Sequence, residues 1–171
     1  GLVRDPAPPV RELIRAAHSD PGLVTMLLLT TGAAVVWMTA DLLVPIRLDE
    51  GGYSAADIGV AFSVSAAVFV LASVITSRRA ERWANPRIAA WWTGALAVTT
   101  ALPALLLGIP VTLVFLIAVT VTTGVIVALT FPFGLLAVER GAVTVAVMSA
   151  LANIIWALSG MAGPTVGGAF A

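Results

Sequence analysis

Long apolar runs separated by short polar segments dominate the chain. Residues 21–40, 58–77, 88–138 and 142–171 contain no charged side chain. A membrane-spanning helix needs about 20 predominantly apolar residues, so each run can supply at least one span. The run 88–138 is expected to hold two, because at ~1.5 Å per residue one helix of that length would exceed the ~30 Å hydrocarbon core about twofold. The pattern predicts an all-α, polytopic membrane protein with about five transmembrane helices.

Helix-capping residues and prolines mark the ends of these helices. Asp20-Pro21 and Asn85-Pro86 each place a capping residue before a first-turn proline. The segment 54–57 (Ser-Ala-Ala-Asp) is typical of a capping box, and residues 108–110 (Gly-Ile-Pro) of a turn between two helices. The spans are predicted near residues 21–47, 54–77, 86–107, 110–137 and 142–171, with residues 48–52 as the first loop.

The first 20 residues differ from the rest of the chain. Pro6, Pro8 and Pro9 disfavour a continuous helix there. Residues 10–17 carry an apolar face typical of a short helix lying on a membrane surface, although a solvated tether fits equally well. We expect 1–20 to form a cytoplasmic linker or surface helix, followed by one transmembrane helical domain over 21–171.

Composition supports a membrane protein and excludes several other classes. The chain is 60% apolar and 11% charged, whereas a soluble domain is about 45–50% apolar and about 25% charged. It has no Cys, no Lys and a single His, His18. A phosphate-binding loop needs a Lys, and catalytic or metal sites commonly need His or Cys. We predict neither an enzyme nor a nucleic-acid-binding protein, and no cofactor or metal site.

The arginines indicate how the helices are oriented. If residues 1–20 are cytoplasmic, only Arg47 falls on the outer side, beside Asp49, Glu50 and Asp57. This bias is the one that the positive-inside rule expects, and it predicts a multi-pass plasma-membrane protein. The other eight arginines lie on the predicted cytoplasmic side: Arg4, Arg11, Arg15, Arg78, Arg79, Arg82, Arg87 and Arg140.

The fifth span has one face of small and polar residues. Spacings of three and four residues place them within about 80° of the helix surface: Ser149, Asn153, Trp156, Gly160, Gly163 and Gly167. Small residues allow close helix approach in lipid, and Pro164 removes a backbone donor. This face is either a plain packing seam or a contact that moves during transport. Asn153 is expected to hydrogen-bond to another helix or to contact a substrate.

Few other polar residues lie within the spans. Asp41 is the only acid there; it is either an interfacial carboxylate in contact with water or a cavity group that binds a proton or a cationic substrate. Thr123 faces lipid, with its hydroxyl bonded to its own helix, or lines a polar cavity. Arg47 is a possible partner for Asp41.

Three segments resemble the major facilitator superfamily. Residues 45–59 are similar to the outer join between the first two helices of a half transporter. Residues 77–87 fall where the family has a Gly-x-x-x-Asp-Arg-x-Gly-Arg-Arg loop, with Glu81 in place of Asp and Arg82 retained. Residues 163–168 (Gly-Pro-Thr-Val-Gly-Gly) resemble the Gly-Pro-x-x-Gly-Gly signature of drug antiporters, which includes Gly168. The degenerate loop and the Pro-containing linker favour the C-terminal half over the N-terminal half.

The resemblance implies a fragment of a transporter and assigns roles within it. A half has six helices, so this chain holds about five of them and lacks the other half. Spans one and four are expected to line the cavity, with Trp37, Asp41, Thr123 and Phe131 as substrate contacts. Spans two and five pack between the halves. The implied partners are a small organic molecule, protons, the bilayer and the other half. The implied function is secondary transport by alternating access, with proton-coupled efflux. The alternative is a non-transporting subunit that anchors or assembles a complex.

Overall fold

The structure, a computed structural model, describes residues 19–105 and 108–168, and in this part every regular element is a helix. Four helices are long and apolar enough to cross a membrane, and α4, with 20 residues, is the fifth long helix. The predicted all-α membrane bundle is therefore confirmed. The predicted linker or surface helix falls almost entirely on residues 1–18, outside the described residues. The helices are α1 Pro21–Glu50, α2 Ala55–Ser77, α3 Ala80–Trp83, α4 Pro86–Leu105, α5 Ile109–Glu139 and α6 Val145–Gly168.

Three helices begin at the capping residues that the sequence indicates. The Asp20 carboxylate accepts a hydrogen bond from the backbone N–H of Leu23 at 2.9 Å. Ser54 and Asp57 form the reciprocal capping box that starts α2. The Asn85 side chain accepts from the N–H of Arg87 at 2.8 Å at the start of α4. Each cap satisfies a backbone donor that the first helical turn leaves without an intrahelical partner.

Helix bounds differ from the predicted spans in three places. The first helix extends into the predicted loop as far as Glu50, because Leu48 is fully buried and holds the last turn against the bundle. The chain turns only at Gly51 and Gly52, where Gly52 has a φ of 84°. The last helix begins at Val145, where Thr144 Oγ1 accepts from Val147 N at 3.3 Å. The polar segment after α2 contains the one-turn helix α3.

The central helix of the bundle is α5. It packs against α1, α2 and α4, while α6 packs mainly against α1. More than half of the apolar stretch of α5 is buried, whereas α2 and α6 leave most of theirs exposed. This arrangement places α1 and α5 at the centre and α2, α4 and α6 around them.

A few contacts fix how the helices are aligned. Gly22 lies against the carbonyl of Phe133 and Gly51 against Ile109, so α1 and α5 are antiparallel. Helix α6 runs parallel to α1, since Met26 and Met148 both meet Gly134 and Met38 lies beside Gly160. Helix α2 runs parallel to α5, because Ser65 meets Thr120 and Phe69 meets Gly124.

Candidate functional site

Trp37 and Asp41 lie one turn apart on α1 and contact each other. Trp37 is half-buried and Asp41 is exposed. The Trp37 indole lies close enough to the Asp41 carboxylate to interact with it, and its N–H is the only donor of that side chain. The pair therefore presents a carboxylate beside an aromatic ring.

Asp41 lies on the side of α1 whose other residues are buried in the bundle. Leu23 precedes it by 18 residues, which is five full turns, and Ala34 and Leu48 lie about two turns on either side. All three of these side chains are fully buried. Asp41 is exposed although it shares their side of the helix. The bundle is therefore open at the level of Asp41.

Helix α2 borders this opening with an aromatic side chain. The rings of Trp37 and Phe69 have centroids 5.5 Å apart and planes inclined by 56°, which is within the range of favourable aromatic pairs. Sequence analysis did not single out Phe69. No local pattern distinguishes it from the other apolar residues of α2, since its role depends on the alignment of α1 with α2.

Helix α6 borders the other side of α1. A methyl group placed on Gly160 would lie 4.0 Å from the sulfur of Met38, an ordinary van der Waals distance, so this position is close-packed without being crowded. Gly163, Pro164, Gly167 and Gly168 continue the α6 backbone as far as the helix end. The surroundings of these four residues lie outside the described part of the structure.

Thr123 is fully buried in α5, and its hydroxyl has no hydrogen-bond partner within the described residues. Three neighbouring threonines differ, because Thr120, Thr122 and Thr130 donate to carbonyls of their own helix. Interpolating between the contacts of α1 and α5 places Thr123 within about one turn of the level of Trp37. A buried hydroxyl without a partner is costly.

A polar seam joins α2 to α5 on the same side of the bundle. The hydroxyls of Ser65 and Thr120 are 2.5 Å apart. Thr120 donates its proton to the carbonyl of Leu116, so Ser65 is the donor between the two helices. A second bond runs from Ser73 Oγ to the carbonyl of Gly124 at 3.1 Å. These bonds hold Phe69 in position beside Trp37.

Phe131 and Asn153 are exposed but lie at other depths. Phe131 is 57% exposed, next to the proline within α5. Its level is near the start of α1, roughly 25 Å from Asp41 along the bundle axis. Asn153 lies level with Thr31, roughly 15 Å from Asp41. The structure thus groups Trp37 and Asp41 with Phe69 and leaves Phe131 and Asn153 apart from them.

The other charged residues that the structure describes lie at the two ends of the bundle. Arg47 pairs with Glu50 at 3.4 Å, and both side chains are exposed, so Arg47 is not the partner of Asp41. At the opposite end, Arg140 pairs with Asp20 at 3.0 Å. Arg82, in the loop between α2 and α4, is exposed, and the side chain of Glu81 lies outside the described part.

Comparison with known proteins identifies the family. The family model for the Major Facilitator Superfamily matches residues 2–164. The chain belongs to the major facilitator superfamily. No curated protein and no solved structure gives a significant match.

Membership of the major facilitator superfamily fixes the general function. Members of the superfamily are membrane transporters of small molecules and not enzymes, so the chain is part of a multi-pass membrane transport protein. The site around Asp41 fits this function in chemical terms. A carboxylate on an open, otherwise buried side of a central helix can bind a cation or exchange a proton.

Proposed function

We propose that this chain is most of one half of a proton-coupled exporter of small organic molecules. It works by alternating access, in which the two halves rock around a site near the bilayer midplane. The observation that supports the proposal is the position of Asp41, exposed on the side of α1 that is otherwise buried. A carboxylate that only contacted water at the membrane interface would not have to point to this side of α1.

The opening also supports the proposal that another half is required. Asp41 and Asn153 are exposed within helices long enough to span a membrane. Contact of such groups with hydrocarbon is costly, so protein or cavity water must cover them. We assign that role to the other half of the same transporter. The degenerate loop favours this chain as the C-terminal half, in the plasma membrane with residues 1–20 in the cytoplasm.

Asp41 is the proton-exchanging residue in this proposal. As a carboxylate it lies beside the Trp37 indole and attracts a cationic substrate or a proton. Once protonated, it no longer holds a cation, so proton uptake and substrate release are coupled at one group. Trp37 and Phe69 supply an aromatic, apolar surface beside the charge, which suits the uncharged part of an organic molecule.

Transport in vesicles tests this role. The intact transporter is reconstituted and substrate movement is measured with and without an imposed pH gradient. Asp41→Asn keeps the size and the acceptor oxygen but can neither exchange a proton nor hold a cation, so we expect gradient-driven transport to be lost and substrate exchange without a gradient to be weakened. The matched control is Asp49→Asn, since Asp49 is an exposed acid at the end of the same helix. Unchanged gradient-driven transport in Asp41→Asn would make Asp41 an interfacial residue.

A further inference from the structure

The segment 77–87, between α2 and α4, concentrates positive charge at one end of the bundle. It contains Arg78, Arg79, Arg82 and Arg87 and one acid, Glu81, which gives a formal charge of +3. All four arginines are exposed. We refer to residues 77–87 as the arginine loop.

Another arginine at the same end of the bundle has an acidic partner, and the arginines of this loop have none among the described side chains. Arg140 is held by Asp20 at 3.0 Å. Within the described residues, neither Arg78, Arg82 nor Arg87 forms an ion pair. No described carboxylate occupies their guanidinium groups, and each offers five N–H donors in the planar geometry that suits phosphate oxygens.

The fourth arginine is fixed by an aromatic ring. The guanidinium carbon of Arg79 lies 5.6 Å from the centre of the Trp83 ring, a cation–π distance. Trp83 belongs to the one-turn helix α3, which begins after Arg79. The Trp83 ring and the charge of Arg79 thus lie together at the end of the bundle, where tryptophans of membrane proteins commonly meet lipid headgroups.

Exposed apolar side chains lie on α2 and α4 next to the arginine loop. Trp91 is 81% exposed, and Val74 and Ile75 are exposed near the end of α2. These residues are two to four positions from the loop, which corresponds to roughly 3–6 Å along the helices. We refer to Val74, Ile75 and Trp91 as the apolar collar. A soluble anion would gain no binding energy from the apolar collar. A phospholipid matches both the arginines and the apolar collar, since its phosphate can contact arginine and its acyl chains can contact the apolar side chains.

We propose that the arginine loop binds an anionic phospholipid, with the headgroup phosphate on Arg78, Arg82 and Arg87 and the acyl chains against Trp91, Val74 and Ile75. Polybasic segments next to transmembrane helices are attracted to anionic leaflets. The bound lipid anchors the connection between α2 and α4 to one leaflet. This interaction does not depend on the direction or coupling of transport.

Native mass spectrometry of the purified, delipidated transporter tests the proposal. Phosphatidylglycerol and phosphatidylcholine are added separately, and the bound fraction is measured. We expect tighter binding of phosphatidylglycerol, weakened about fivefold for each arginine removed in the combined variant Arg78→Gln, Arg82→Gln, Arg87→Gln. The matched control Arg47→Gln removes an exposed arginine at the other end of the bundle and should leave binding unchanged. The Lys versions of the three loop substitutions should restore most of the preference.

Several results would overturn the proposal. Equal binding of the two lipids by the unsubstituted protein is one, and it does not depend on whether a variant folds. A second such result is equal affinity of the combined variant and of Arg47→Gln for phosphatidylglycerol. Competition by water-soluble glycerol phosphate at the concentration at which phosphatidylglycerol binds would show a site for soluble anions. Conversely, Trp91→Ala should weaken binding of phosphatidylglycerol, because it removes the largest part of the apolar collar.

Discussion

At the residue scale, Asp20 joins the start of α1 to the end of α5. One of its carboxylate oxygens accepts the N–H of Leu23, and the other accepts from Arg140 at 3.0 Å. Burial by itself raises the pKa of Asp20, but the Leu23 N–H and the Arg140 guanidinium outweigh it, and the net pKa lies below the ordinary 3.8. The sequence identifies the cap, since Asp followed by Pro is a local signal. It does not identify Arg140 as the partner, which is 120 residues away.

The lowered pKa of Asp20 gives a pH-dependent contribution to stability. Because the folded state favours the carboxylate, this contribution is present above pH 3.8 and is lost as the pH falls through the lower folded pKa. Asp20→Ala removes both the cap and the ion pair, and losing the cap alone costs about 1 kcal/mol. Asp20→Asn keeps a cap but loses the charge. We expect melting temperatures in detergent at neutral pH to fall in the order unsubstituted protein, Asn, Ala.

The same comparison at low pH separates charge from capping. At about pH 3, below the ordinary pKa of 3.8, the gap between the unsubstituted protein and Asp20→Asn should narrow, since the unfolded chain then binds a proton that folding has to release. Asp49→Asn, an exposed position at the other end of α1, serves as the control at both pH values. A gap of constant size from neutral to acidic pH would contradict an ionic contribution by Asp20.

At the element scale, the ends of a helix depend on neighbouring residues in the sequence, whereas the alignment of two helices depends on residues far apart in the sequence. The caps at Asp20, Ser54 and Asn85 are readable from a few neighbouring residues, so three helix starts agree with the sequence. The last turn of α1 differs, because burial of Leu48 against other helices extends the helix past Arg47. The Trp37–Phe69 pair likewise could not be predicted from the sequence, since it depends on how α1 and α2 both align with α5. Thr123 is a candidate from the sequence, but packing decides whether its hydroxyl meets a partner, and among the described residues it meets none.

Gly124 is the residue that lets α2 approach α5. A methyl group on it would stand 3.0 Å from the carbonyl oxygen of Phe69 and 3.2 Å from the Cβ of Ala72. Gly124→Ala therefore forces α2 outward by a few tenths of an ångström, and Gly124→Leu by much more. We expect overpacking costs of about 1–3 kcal/mol, measured by unfolding in mixed micelles with increasing sodium dodecyl sulfate.

Gly94 provides the matched control for this contact. It lies within α4, and a methyl group placed on it would meet nothing within 4 Å. Because Ala favours helix by up to about 1 kcal/mol over Gly, Gly94→Ala should be neutral or slightly stabilising. Equal stability of Gly124→Leu and Gly94→Leu would show that α2 and α5 are not held by close approach at this level.

At the scale of the whole molecule, an exposed side chain within a membrane-spanning helix faces either lipid or the water-filled space between the two halves. Asp41 and Val114 are both exposed, and interpolation along α1 and α5 places them within about one turn of the same depth. We expect Asp41 to face the water-filled space between the two halves and Val114 to face lipid. At similar depth and exposure, the two positions therefore differ in whether water or lipid surrounds the side chain.

Thiol labelling distinguishes these environments, because the chain has no cysteine of its own. In the reconstituted transporter, Asp41→Cys and Val114→Cys are treated with a charged methanethiosulfonate reagent. This reagent needs water and an ionised thiol, so we expect Asp41→Cys to react at least about tenfold faster. Bound substrate should slow that reaction, because it occupies the same space, and should leave Val114→Cys unaffected. Equal rates at the two positions would mean that Asp41 does not face a cavity, even if its substitution alters transport.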